Sequence, residues 1–142
     1  MADKTVAAAL NPQKKVPLMQ WVAPVLVGWL IPGAGHIYLG RKQRGLLLGV
    51  SILICFLVGL MMRGAFFEPQ TGDLLTTLIY TGGNFANKMV GLPYFLATWL
   101  GYDQTDVAGH VHDYGTKFLA GAGLLNVLAL VDAYEIATGK KD

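Results

Sequence analysis

Apolar residues fall into four runs along the chain, separated by short polar or glycine-rich breaks. Residues 16–39 form the first, with no Asp, Glu, Lys or Arg from Val16 to Gly40 and an apolar centre from Leu18 to Ile31. The second, 45–62, is uncharged from Gly45 to Met62 and closes at Arg63. At about 1.5 Å per residue it is roughly 27 Å long, near the hydrocarbon thickness of a bilayer. Between them only Arg41 to Arg44 remain as a linker, so the pattern predicts two antiparallel neighbouring helices. The third stretch, 74–102, is less regular. Leu74 to Tyr80 is short, Gly82-Gly83-Asn84 is expected to break it, and a further apolar run follows from Met89 to Tyr102. Fourteen uncharged residues suit a re-entrant or interfacial segment as well as a crossing. The last run, 117–138, ends at Gly139-Lys140-Lys141, a helix-stop signal with cations at the C-terminal end.

Composition turns this pattern into a class. Of 142 residues, 54% are apolar and only 14% charged, against about 25% charged in ordinary soluble domains. The expectation is an all-α, polytopic helical membrane protein with three to four membrane segments, the first two forming a hairpin. A polar tail, 1–15, precedes a single helical domain, 16–139. Lys14-Lys15 ahead of the first run also fits the basic region of a signal peptide, a competing reading. The net charge of +2 is too small for nucleic-acid binding. Cys55, the one cysteine, lies inside an apolar run and reads as a packing residue.

Small residues mark where helices can approach, because lipid gives them little hydrophobic reason to associate. Gly45 and Gly49 form a GxxxG pair, and Ala129, Ala133 and Ala137 form a stripe. Intrachain packing is the favoured use of both, with a dimer face as the alternative.

Trp29-Leu30-Ile31-Pro32-Gly33-Ala34-Gly35-His36-Ile37-Tyr38-Leu39-Gly40-Arg41, followed by Gly45, resembles the two-helix membrane module called the TM-two domain. Gly33, Gly35, His36, Tyr38, Gly40, Arg41 and Gly45 occupy its motif positions. The Asp-Arg-aromatic triplet of eukaryotic members is absent. Gly121 to Asn126 and Asp132-Ala133-Tyr134 resemble the closing helix of an uncharacterised bacterial family with the same Gly-His-x-Tyr-Leu-Gly hairpin. The resemblance implies a small multi-pass protein of the bacterial inner membrane and supplies no activity. The motif also reads directly. Pro32 interrupts a helix ladder, the glycines permit tight backbone, and Tyr38 suits an interfacial aromatic belt. A structural turn is favoured over a turn that binds a head group.

Asp132 is the most informative ionisable residue, because an acid on an apolar helix needs a partner. Arg41, Arg44 and His36 are the candidates, which requires the end of the last helix and the first turn to lie on one side. That favours three crossings over four. Asp132→Leu is then expected to be milder than loss of the arginines. A proton or ion relay through Asp132 is the alternative. His110 and His112, with Asp106 and Asp113 nearby, are weak metal candidates, and solvated loop histidines are the default. Ser51 is the only serine and lies within the second run, so no nucleophile–base pair emerges and no cofactor is expected. The functional expectation is a non-enzymatic accessory subunit whose partners are the lipid bilayer and other membrane-protein subunits, with a homo-oligomer possible. The alternative is a small oligomeric transporter or ion channel using Asp132.

Overall fold

The computed structural model describes residues 15–105 and 108–142. Among these the chain is all-helical: α1 (Leu18–Leu30), α2 (Ala34–Tyr38), α3 (Lys42–Met61), α4 (Leu74–Met89), α5 (Leu92–Trp99) and α6 (His110–Ala137). Two of them, α3 and α6, are long and apolar enough to cross a membrane. They pack against each other along their length, and α6 also contacts α1 and α4.

The first run is not one long helix. It folds back inside the bundle at Pro32 and Gly33, and α2 returns alongside α1. Gly33 takes φ +83°, and a Cβ there would lie 2.8 Å from the Gly49 Cα. Only glycine combines that left-handed backbone with that approach. A Cβ on Gly35 would meet the Pro24 carbonyl oxygen at 2.5 Å, so α1 and α2 touch backbone to backbone. The expected pair of neighbouring antiparallel long helices is therefore corrected. The short α2 packs against both α1 and α3, and α3 begins at Lys42 rather than Gly45. The Gly45/Gly49 pair receives the turn, which is an intrachain use.

A second hairpin, α4–α5, enters from the opposite end. Gly82-Gly83-Asn84 does not break α4, because Gly83 faces the Phe67 ring and Asn84 Nδ2 donates to the Phe67 carbonyl at 2.7 Å. The break falls instead at Gly91, with φ +83°, where a Cβ would collide with the Trp29 carbonyl. The Met89–Tyr102 run is thus split by a turn, and α5 spans only 8 residues. At its base, the Tyr102 hydroxyl donates to the Gly64 carbonyl at 2.8 Å.

The last helix starts seven residues earlier than its apolar run, at His110 rather than Lys117. Its first turns are held by Gly115 against Gly64 and by the Ala65 N–H donating to Thr116 Oγ1 at 3.0 Å. The core lies where Ile52, Phe56, Val90, Ala97, Leu119 and Ala122 meet.

Candidate functional site: the Asp132 clasp and the hairpin tips

Asp132 stands near the end of α6 with 17% of its side chain exposed. His36, on α2, is 1% exposed, and its Nε2–H donates to Asp132 Oδ2 at 2.8 Å. A carboxylate only accepts, so the ring proton sits on Nε2. Arg44 Nε, in the first turn of α3, lies 3.5 Å from the same oxygen. Lys141 Nζ donates to Oδ1 at 2.5 Å. One acid thus joins α2, α3, α6 and the chain beyond α6.

Of the partners expected for Asp132, His36 and Arg44 are in place and Arg41 is not among the bonded groups. Lys141 escapes sequence reasoning because it lies past the helix stop. Gly139, at φ +72°, turns the chain back there, and the Lys140 N–H bonds the Glu135 carbonyl at 2.9 Å. The buried position of His36 argues against the expected mildness of Asp132→Leu. His36 is buried, so its Nε2–H would lose its partner away from water.

The other motif positions serve the turn. Pro32, Gly33, Gly35 and Gly45 are buried, whereas Tyr38 and Gly40 are exposed. Gly40 takes φ +81° and lets the chain pass from α2 to α3.

A second polar site lies where the hairpin tips meet. Trp29 Nε1–H donates to the Lys88 carbonyl at 3.2 Å. Asn126, fully buried on α6, donates from Nδ2 to the Met89 carbonyl at 2.8 Å and the Gly28 carbonyl at 3.4 Å. The Met89 and Gly28 carbonyls belong to the C-terminal ends of α4 and α1, where helix geometry leaves them without intrahelical partners, whereas the Lys88 carbonyl also accepts the Gly91 N–H at 3.1 Å. Asn87, 1% exposed, has neither amide atom bonded. Sequence reasoning misses Asn87 and offers Asn126 only as one of few polar residues, with Asp132, for a transport path. An amide inside an apolar helix is the signal available for Asn126.

Residues 23–142 match the model of a family of unknown function, DUF6677. The chain belongs to that family. The DUF6677 match covers α1 from Ala23 onward, the rest of both hairpins, the clasp and the tip contacts. No curated protein and no solved structure matches the chain.

His110 and His112 lie on the first turn of α6, not in a loop. His112 Nδ1 is engaged by the Arg63 carbonyl at 2.8 Å. Among the described residues no three His, Cys, Asp or Glu side chains group as metal ligands, and Asp106 lies outside them.

Proposed function

We propose that this chain is a non-enzymatic integral protein of the bacterial inner membrane that works by packing, as an accessory subunit of a larger membrane assembly. The observation that carries this reading is the apolar surface left uncovered. Only 28% of the apolar window of α3 and 39% of that of α6 is buried within the chain. Leu46, Leu47, Ile54, Leu57, Leu124 and Leu128 are more than half exposed on the two helices. The core helix of a water-soluble domain would bury most of such a surface, and contiguous apolar area of this kind belongs against lipid or a partner.

On this reading α3 and α6 cross the bilayer, at about 30 and 42 Å of helix, while α1–α2 and α4–α5 are re-entrant from opposite sides. Turning backbone at membrane depth is tolerated where protein buries it, which fits the glycine contacts and Asn126. The start of α1 and the end of α6 then share one side with Arg41, Lys42 and Arg44. That satisfies the positive-inside rule with the basic end in the cytoplasm, and it replaces the three- and four-crossing paths. Asp132 works as a clasp. Its charge is spent on His36, Arg44 and Lys141 at one end of the bundle, which favours packing over a relay.

The test of function is what co-purifies after mild detergent extraction. A stable set of larger subunits supports the accessory role, and a homo-oligomer around a polar lumen supports a transporter instead. The path is tested by cysteine labelling at positions 43 and 104 in a Cys55→Ala background. Position 43 should label from the side of the C-terminus and position 104 from the other. Both labelling from one side would overturn the two-crossing path.

A further inference from the structure

The two ends of the bundle carry opposite charge. Lys15, Arg41, Lys42, Arg44, Lys140 and Lys141 stand at the end where α1 begins and α6 stops, against Asp132, Glu135 and Asp142. At the other end Arg63 and Lys117 stand with Glu68, Asp73, Asp103 and Asp113. The basic end therefore keeps an excess of cations after Asp132 is neutralised within its clasp.

At that end, between the start of α1 and the end of α6, lies an open recess of about 1000 Å³. Lys15, Gln20, Trp21, Tyr134, Thr138 and Lys140 line it. The Trp21 and Tyr134 rings meet edge to face at 5.3 Å. Lys140 Nζ lies 5.5 Å from the Tyr134 ring centre, and Lys15, also lining the recess, is exposed. The Thr138 hydroxyl is committed as a donor to the Tyr134 carbonyl at 2.9 Å, so side-chain donors to an anion come from the lysines, Gln20, the indole and the Tyr134 hydroxyl.

We propose that this recess seats the phosphodiester headgroup of an anionic phospholipid from the leaflet at the basic end. Lys15 and Lys140 hold the phosphate, and the Trp21–Tyr134 pair lies at the boundary between headgroup and acyl chains. The proposal rests on the membrane reading above. Juxtamembrane lysines gain attraction from an anionic leaflet, and aromatic residues with a polar edge gather at that depth. Lipid is favoured over a soluble phosphate because the site is open. A free anion there would gain only screened surface attraction. A lipid is also held by its chains beside Leu18 and Met19, which are 70% and 78% exposed on the first turn of α1.

The test uses the full chain, purified and delipidated, titrated with phosphatidylglycerol or phosphatidylcholine and read by native mass spectrometry. Phosphatidylglycerol should bind tighter than phosphatidylcholine. Lys15→Gln with Lys140→Gln should weaken phosphatidylglycerol about 25-fold, some fivefold per lysine, and weaken phosphatidylcholine less, since its choline cation already offsets the attraction of the same phosphate to the lysines. Arginine at both positions should restore binding, and Lys117→Gln at the far end should have no effect. Equal phosphatidylglycerol affinity in the parent and the double glutamine variant would overturn the site. Competition by millimolar inorganic phosphate would overturn its assignment to lipid. Flotation with vesicles separates the two readings: a chain that fails to float with any composition sinks the membrane reading and the site together. A chain that floats while the double variant keeps its lipid preference sinks the site alone.

Discussion

The α1–α2 hairpin is held at its base by a charge clasp beside one aromatic pair, Trp21 and Tyr134, whereas the α4–α5 hairpin is held at its base by a cluster of aromatic rings. In the first, His36 and Arg44 converge on Asp132. In the second, Phe66 packs against Tyr94 at 4.8 Å and Tyr102 at 5.4 Å, and a single hydroxyl adds a bond to Gly64. The tips are fastened alike, by glycine contact and by Asn126. The difference lies in how each base fails. A charge clasp depends on a few atoms and leaves a buried group unpaired when broken. An aromatic base spreads its stabilisation over ring area and geometry, so loss of one polar atom leaves most of it standing.

The largest break should come from Gly33→Val. The substitution forces a branched residue into φ +83° and against the Gly49 backbone. A destabilisation of about 2–5 kcal/mol follows from strain and overpacking together. Thermal unfolding in detergent measures it, and amide exchange should rise in α1–α2 well before α4–α5. Wild-type stability in this variant would show that the turn has another way to pack.

Asp132→Leu comes next, at about 1–3 kcal/mol, because the His36 N–H is left buried without an acceptor. Asp132→Asn keeps an acceptor oxygen and should cost about half as much by the same reasoning. Arg41→Ala should be near neutral, since Asp132 is bonded to other cations. An Arg41→Ala variant less stable than Asp132→Leu would place the clasp on the wrong cation.

Tyr102→Phe sharpens the contrast from the other side. It removes the hydroxyl bonded to Gly64 but leaves the ring against Phe66, so about 1 kcal/mol should be lost. A loss as large as that of Asp132→Leu would erase the distinction between the two bases.

The smallest effect, and one of opposite sign, belongs to Asn87→Leu. Both amide atoms of Asn87 are buried without partners, and replacing such a group with an apolar one of similar shape is near neutral or stabilising, by up to about 1 kcal/mol. A loss of stability in the melting experiment would mean that the amide is satisfied by a bound water.

The α3 helix was legible because its uncharged run, Gly45 to Met62, covers all of the helix but its first three residues. The clasp was partly legible, since an acid on an apolar helix has to find a cation and the first turn is rich in them. The path of the first run was not. Its 25 uncharged residues read as one element, and whether Pro32-Gly33 kinks a helix or reverses it is decided by contacts with Gly45 and Gly49, which are distant in space until the fold forms. The start of α6 was hidden for a related reason. His110 to Thr116 is polar in composition, yet Gly115 and Thr116 are fixed by Gly64 and Ala65.

Asn126 and Asp132 are also made after every helix they hold. The Gly28 carbonyl precedes its Asn126 donor by 98 residues, and His36 precedes Asp132 by 96. At ribosomal speeds of about 5–20 residues per second, the first hairpin waits roughly 5–20 seconds for its fasteners. Making the first hairpin and locking it are therefore separate events in the life of the chain, and α6 sets the moment of the second. A nascent chain stopped before residue 126 holds both hairpins with the Gly28 and Met89 carbonyls unclaimed, a state for chaperones and proteases to sort rather than a smaller version of the finished protein.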